Sequence, residues 1–402
     1  MTKLGIDLLS EYRLLHAGYD GLDVAFQGRV DPHFLDMLEA AKAEAREQQV
    51  NVARHWRGLD FEVYQSGTSG YSFMIDTGPD GEIWMFQKTT DPTRWSIFVS
   101  CKAMGLAMHG LRIIRARLWQ RLEMFSAYIL DHSINRIDYA VDLVAPNFAL
   151  IPDNIVAHWR STVSEFQALD EGDARIVRQG RKVNSVSVGK MPNKQVIIYD
   201  KRREVIDKRK KWWFELWGVE PDTKVWRVEV RAGKRYLKEH CDLTTFEQLD
   251  ARGGEVFSEI LAGLDLKADG QTDANITRQI SHDLWSVAKQ TILQRTVSLK
   301  TDDVREAAVT VWRDQKIEQY EGLMGGLAAS FSFAKGFTSG PDLDANAIGR
   351  QVGRAVALRI KSNPGKFVDA YKRAETRLRH ISDREWFEPG DLLNEAIPEG
   401  MN

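Results

Sequence analysis

The 402-residue sequence predicts an α+β fold: an antiparallel β-sheet core of two similar sheet halves with flanking helices, then a mainly helical C-terminal region. Three observations carry this. Short stretches of alternating apolar and ionic residues recur up to about residue 237, with turn formers between them. Their order with the helical patterns, β-α-β-β-β-α-β and then α-β-β-α-β, comes round twice, without detectable identity between the rounds. Beyond that point the strand signals mostly stop and helical spacing takes over.

Residues 21–27 form a β-like run that leads through Asp31-Pro32 into an amphipathic helix over 32–49, where Phe34, Met37, Leu38 and Ala41 keep helical spacing. Strands follow at 70–76, 82–88 and 94–101, with Gly-Pro-Asp-Gly at 78–81 as the turn between the first two. A helix over 111–130 precedes a strand over 136–143. The second round reads as a helix over 152–163, an acidic loop at 170–173, a hairpin of strands 183–189 and 195–201, a helix over 202–217 and a strand over 224–232. Helical patterns then occupy 245–264, 282–293, 301–319, 347–359 and 366–378, with linkers at 265–274 and 335–344 and a loose tail from 390. The expected division is a catalytic α+β domain over 1–240 and a helical region over 241–402.

A hydrophobic content of 43% with 28% charged residues suits a soluble globular protein. The longest apolar stretches, such as 323–333, fall short of the roughly 18 to 20 residues of a membrane span. The first twenty residues mix charges into their apolar positions and lack a signal-peptide core. The expectation is a cytoplasmic protein with no membrane partner. Cys101 and Cys241 are too far apart in sequence for a metal-ligand pair and read as core filler. A net charge of -2 does not suggest a polyanionic partner, but between Asp173 and Trp212 thirteen Lys or Arg face four acids, a basic stripe that by itself reads as a solvated helix face.

Successive side chains of a strand point to opposite faces. In 136–143, Arg136, Asp138 and Asp142 therefore share one face while Ile137, Tyr139, Val141 and Leu143 share the other. Strand 226–231 sets Arg227, Glu229 and Arg231 against Trp226, Val228 and Val230, and Tyr199 lies on one face with Lys201. A single strand of this kind is more often a salt-bridged surface, since cross-strand ion pairs add about 0.2 to 1 kcal/mol each. Three together, on neighbouring strands, form a patch suited to phosphodiester transesterification. Tyr199 is the candidate nucleophile. A phenol of pKa near 10 needs a cation beside it, which Lys201 supplies. Asp138, Asp142 and Glu229 are candidate ligands for Mg²⁺ or Mn²⁺, or one of them takes the phenol proton. Arg136, Arg227 and Arg231 would orient carboxylates or phosphate. Arg202, Arg203, Lys208, Arg209, Lys210 and Lys211 follow the nucleophile and are candidate DNA phosphate contacts. Trp212, Trp213 and Trp217 either stack on bases or pack their helix onto the sheet.

The ordered set Arg136-Ile-Asp-Tyr-Ala-Val-Asp142, Val186-Ser-Val-Gly189, Val196-Ile-Ile-Tyr-Asp-Lys201 with Glu204, and Arg227-Val-Glu229 resembles the replication initiation factor family of rolling-circle plasmids and phages, which includes relaxases of conjugative elements. The resemblance covers roughly residues 20–240. It implies that Tyr199 nicks origin DNA, single-stranded or cruciform, and becomes joined to the 5′ phosphate, leaving a 3′ hydroxyl primer. It also implies that the acidic residues of the first and third motifs serve a divalent metal. A conjugative relaxase would use the same chemistry, and an origin-binding protein that does not nick is the rival of another class. The helical C-terminal region is a candidate for dimerisation, duplex-origin recognition or recruitment of a host helicase.

Overall fold

The computed structural model describes residues 12–378 apart from 69, 159–162, 165–173, 272, 274, 276–277, 295–303 and 337–343. The acidic loop at 170–173 and the tail from 390 lie outside the described residues. In chain order the first half contains β1 (Arg13–Arg29), α1 (Pro32–Gln48), β2 (Val52–Trp56), β3 (Leu59–Val63), β4 (Phe73–Asp76), β5 (Glu82–Phe86), β6 (Ile97–Cys101) and α2 (Ala103–Met124). The second half contains β7 (Tyr128–Val144), β8 (Ile155–Ala157), β9 (Val163–Ser164), β10 (Ala174–Gln179), β11 (Lys182–Gly189), β12 (Lys194–Asp200), α3 (Lys201–Asp207), α4 (Trp212–Trp217) and β13 (Val225–Gly233). Then come α5 (Lys234–Glu239), α6 (Phe246–Ala262), β14 (Leu264–Leu266), α7 (Asp283–Gln294), α8 (Val304–Ala334), α9 (Ala345–Ser362) and α10 (Pro364–Leu378).

One 12-stranded sheet runs β2-β3-β4-β5-β6-β1-β7-β13-β12-β11-β10-β9. All its pairings are antiparallel except that of β9 with β10 at one edge. The two halves are legible in this order: each places its first strand (β1, β7) beside its last (β6, β13) and meanders outward from there. The two first strands pair with each other along their length, from Arg13 opposite Val144 to Arg29 opposite Tyr128, and so join the halves.

Local chemistry sets the boundaries. Asp31 caps α1 by accepting from the His33 N–H at 2.9 Å, and Pro32 occupies the first turn, where a missing N–H costs nothing. The turn between β4 and β5 closes with the Gly81 N–H donating to the Gly78 carbonyl at 3.1 Å. Thr245 and Gln248 form a reciprocal capping box at the start of α6. One face of the sheet carries the apolar core: Phe34 of α1 packs on Phe61, Phe86 and Phe125, and Phe257 of α6 packs on Tyr19 and Tyr139. The helices α1, α2 and α6 thus lie on the apolar side.

Several expectations are corrected. The first part of the expected helix over 152–163 is not helical: Pro152–Asn154 makes one 3₁₀ turn, and Ile155–Ala157 then pairs with Leu264–Leu266, where the expected helix over 245–264 meets the expected linker. The expected helix over 202–217 is two short helices, interrupted where Arg209 takes a positive φ of 53°. The strands β2, β3 and β10 had no counterpart in the sequence reading. By packing, the chain divides into units Met1–Arg305 and Glu306–Asn402. The second unit contains α9 and α10, amphipathic helices on which Val356, Leu358, Phe367, Val368 and Tyr371 are exposed. Among the described residues no helix is long and apolar enough to cross a membrane.

Candidate active site

The register places the predicted ionic residues on one face of the second half. Across the strands, His16, Asp142, Arg227, Tyr199 and Ser185 stand directly opposite one another, and Asp138, Arg231 and Gln195 form a parallel row. This face is deeply buried: Asp138, Asp142, Arg227 and Glu229 are each at most 1% exposed. The cover is α4. Trp212, Trp213 and Trp217 are buried, so they pack their helix onto the sheet. Trp213 lies 4.4 Å from the Arg227 guanidinium and 4.8 Å from the Lys201 ammonium, ring centre to cation, and the Trp217 indole N–H donates to Asp142 at 2.9 Å.

Buried charges persist where each is paired and hydrogen-bonded. Arg227 clamps Asp142 with two bonds, of 2.5 and 2.8 Å, and reaches Asp20 at 2.6 Å. Asp20 gets there through a β-bulge: the register of β1 against β7 slips between Tyr19 and Gly21, turning the extra residue toward the site. Burial works against its charge, but Arg227 and then Lys201 hold the Asp20 carboxyl below the usual carboxylate range. Gly21 is required by close approach, since a Cβ there would stand 2.6 Å from an Asp138 oxygen. Asp138 pairs with Arg136, and Arg231 donates to Glu229 at 2.7 Å while standing 3.7 Å from Asp138. His16 is buried, and burial lowers its pKa to about 4, so its imidazole is neutral.

Tyr199 sits at the edge of this layer. Its hydroxyl donates to Glu229 Oε2 at 3.0 Å, and the Lys201 ammonium stands 3.5 Å from the Tyr199 hydroxyl oxygen. Burial, reinforced by the charge of Glu229, pushes the phenol well above its ordinary pKa of 10.0. Burial and then Arg227 lower the Lys201 ammonium from its ordinary value. Lys201 also binds Glu204 at 2.7 Å, and Glu204 collects Lys208 and Lys210 at 3.2 Å each. Of the other basic candidates, Arg203 pairs with Asp207 at 2.9 Å and Arg202 donates to the Pro221 carbonyl at 2.6 Å, while Arg209 and Lys211 are exposed.

As arranged, the three carboxylates proposed from the sequence do not fit one divalent ion. All their oxygens accept from protein donors: Asp138 from Arg136, Asp142 from Arg227 and Trp217, Glu229 from Tyr199 and Arg231. Asp138 and Asp142 are also four residues apart on one strand, roughly 13 Å of rise. Among the described residues no group of three or more His, Cys, Asp or Glu side chains is placed to hold a metal.

His16 and Asp20 escaped the sequence reading, and the Asp-Gly step at 20–21, a bulge signal within a strand, is what could have flagged Asp20. Glu204 stood in the motif without a role. No family model and no curated protein matches the chain. Among solved structures it is similar to the rolling circle replication initiator protein from Geobacillus stearothermophilus, at 16% sequence identity and a TM-score of 0.40, covering 71% of this chain and 99% of that one. A likeness of that degree leaves the reading of the site to its own geometry.

Proposed function

We propose that this chain is a rolling-circle replication initiator that nicks origin DNA by tyrosine transesterification. The observation that carries the reading is the Tyr199 hydroxyl, which donates to Glu229 at 3.0 Å with the Lys201 ammonium 3.5 Å away. A phenol whose pKa is raised does not ionise unaided, so it needs a base already in contact with its proton, and Glu229 occupies that position. In the step proposed, the Tyr199 proton passes to Glu229 as Oη forms a bond to phosphorus. The bond from phosphorus to the 3′ oxygen breaks, its electron pair leaves with that oxygen, and the oxygen takes a proton from water to become the 3′ hydroxyl. The products are a 5′-phosphotyrosine and a free primer end, and the reverse reaction reseals the strand. Lys201 offsets the negative charge developing at the phenol oxygen. The ordered motifs support the same reading. No step is routed through a divalent ion, because the carboxylates present do not fit one jointly.

The test is incubation of the purified protein with end-labelled single-stranded DNA from its own replicon, with Mn²⁺ and separately with a chelator. A 5′-linked protein adduct that disappears in Tyr199→Phe is the expected result. DNA binding without any adduct would favour the non-nicking origin-binding reading.

A further inference from the structure

We infer that Lys201, Lys208 and Lys210 form a cradle for one phosphodiester of the DNA strand, and that the Glu204 carboxylate occupies this cradle in the DNA-free protein. The inference rests on the reading of Tyr199 as the nucleophile, whose bound phosphate it locates.

The arrangement is unusual for a helix face. Three ammonium groups converge on one carboxylate: Lys201 on Oε2 at 2.7 Å, Lys208 and Lys210 on Oε1 at 3.2 Å each. Ordinary i,i+4 pairing accounts for Lys208 but not for Lys210. The chain brings Lys210 back by reversing at Arg209, which takes a left-handed φ of 53°, and by donating the Lys210 N–H to the Val205 carbonyl at 2.8 Å. A non-glycine residue in that region costs of order 1 kcal/mol or more and persists where its surroundings hold it.

The charges also point to a ligand. One carboxylate against three ammonium groups leaves a net excess of two positive charges, on a chain whose total is -2. Lys201, with a side chain 3% exposed, is the floor of the cradle, whereas Lys208 and Lys210, at 64% and 39%, form its rim. A phosphodiester presents the same single negative charge on two equivalent oxygens, so it can replace the carboxylate bond for bond. Because Lys201 also stands 3.5 Å from the Tyr199 hydroxyl, a phosphate seated on it lies next to the nucleophile. The Glu204 side chain is partly buried, 16% exposed, between the buried floor and the open rim, and it swings aside when the phosphate enters.

The test has a sign that a purely structural Glu204 would not produce. Glu204→Gln keeps the shape and removes the competing charge. It should tighten equilibrium binding of single-stranded DNA about fivefold near 0.1 M salt, and steepen the log-affinity against log-salt slope by about 0.7. Lys208→Gln with Lys210→Gln, two changes at the rim of the cradle, should weaken binding about tenfold and flatten that slope. Unchanged or weaker binding by a folded Glu204→Gln, or wild-type affinity in the double lysine variant, would overturn the cradle. If Glu204→Gln does not fold, the double lysine variant decides alone. The two readings fail separately. A wild-type adduct without the gain in affinity sinks the cradle and leaves the nickase, while the gain without any adduct sinks the nickase and leaves a phosphate site.

Discussion

Both halves of the sheet carry a tyrosine, a carboxylate and a lysine, and they use them differently. In the first half Tyr64 donates to Asp76 at 3.4 Å, and Lys102 spans Asp76 and the Gly78 carbonyl at 2.5 and 2.7 Å. Burial and the Asp76 charge push the Tyr64 phenol up to about 12. In the second half the bond to the carboxylate is shorter, and the lysine touches the phenol oxygen itself. The difference comes from the helices. In the first half α1 and α2 pack on the apolar side, leaving Asp76 and Lys102 side chains 21% and 27% exposed. In the second, α3 starts immediately after Tyr199 and folds Lys201 back over it, and α4 seals the layer with Trp213 and Trp217. The same residue types form a tightly coupled constellation where a helix desolvates them, because charge interactions grow as water is excluded.

The largest expected effect tests that contrast directly. Tyr199→Phe should lower adduct formation by on the order of a thousandfold or more, while Tyr64→Phe should stay within about twofold of wild type. Equal losses in the two, read on a denaturing gel, would erase the distinction. Glu229→Gln should slow adduct formation about 10² to 10⁴-fold while leaving DNA affinity nearly unchanged, because a general base contributes to the chemical step rather than to binding.

Stability should divide the same way. Arg227→Met strands the buried Asp142 and Asp20 charges and should cost about 3 to 5 kcal/mol in urea unfolding. Lys102→Met removes a partly exposed pair and should cost less than about 1 kcal/mol. A similar cost in both would mean that the roof does not desolvate the second half.

The smallest effect is a pair of opposite pH dependences. Burial, with Glu229 adding to it and despite Arg136, pushes Asp138 up to about 7, so its contribution to stability is present below its ordinary 3.8 and lost as pH rises through 7. Glu204, held at about 2 by Lys201 and Lys210 against the cost of burial, contributes above its ordinary 4.5 and loses that as pH falls toward 2. Melting temperatures across pH 3 to 8 should therefore flatten on the alkaline side in Asp138→Asn and on the acid side in Glu204→Gln.

Much of the sheet was legible because alternation is a local signal: Arg136, Asp138 and Asp142 do share a face, with Ile137, Tyr139, Val141 and Leu143 in the core opposite. The turn at 78–81 and the start of α1 were legible for the same reason. The segment from Pro152 was misread because its strand forms only against Leu264–Leu266, more than a hundred residues on, and no local pattern encodes that partner. Tyr199, Lys201 and Glu229 stood out as residue types at period-two spacing, whereas His16 and Asp20 enter through the register of β1 and one bulge.

By itself the sequence determined an antiparallel α+β protein with two related sheet halves and the identity of the tyrosine, lysine and carboxylate placed together in the second. Tertiary structure decided which carboxylate accepts the phenol hydrogen bond, which are tied up by arginines, and that three lysines converge on Glu204. Strand alternation depends on neighbours two positions apart, but burial, hydrogen-bond partners and charge balance depend on what the rest of the chain lays over the strand.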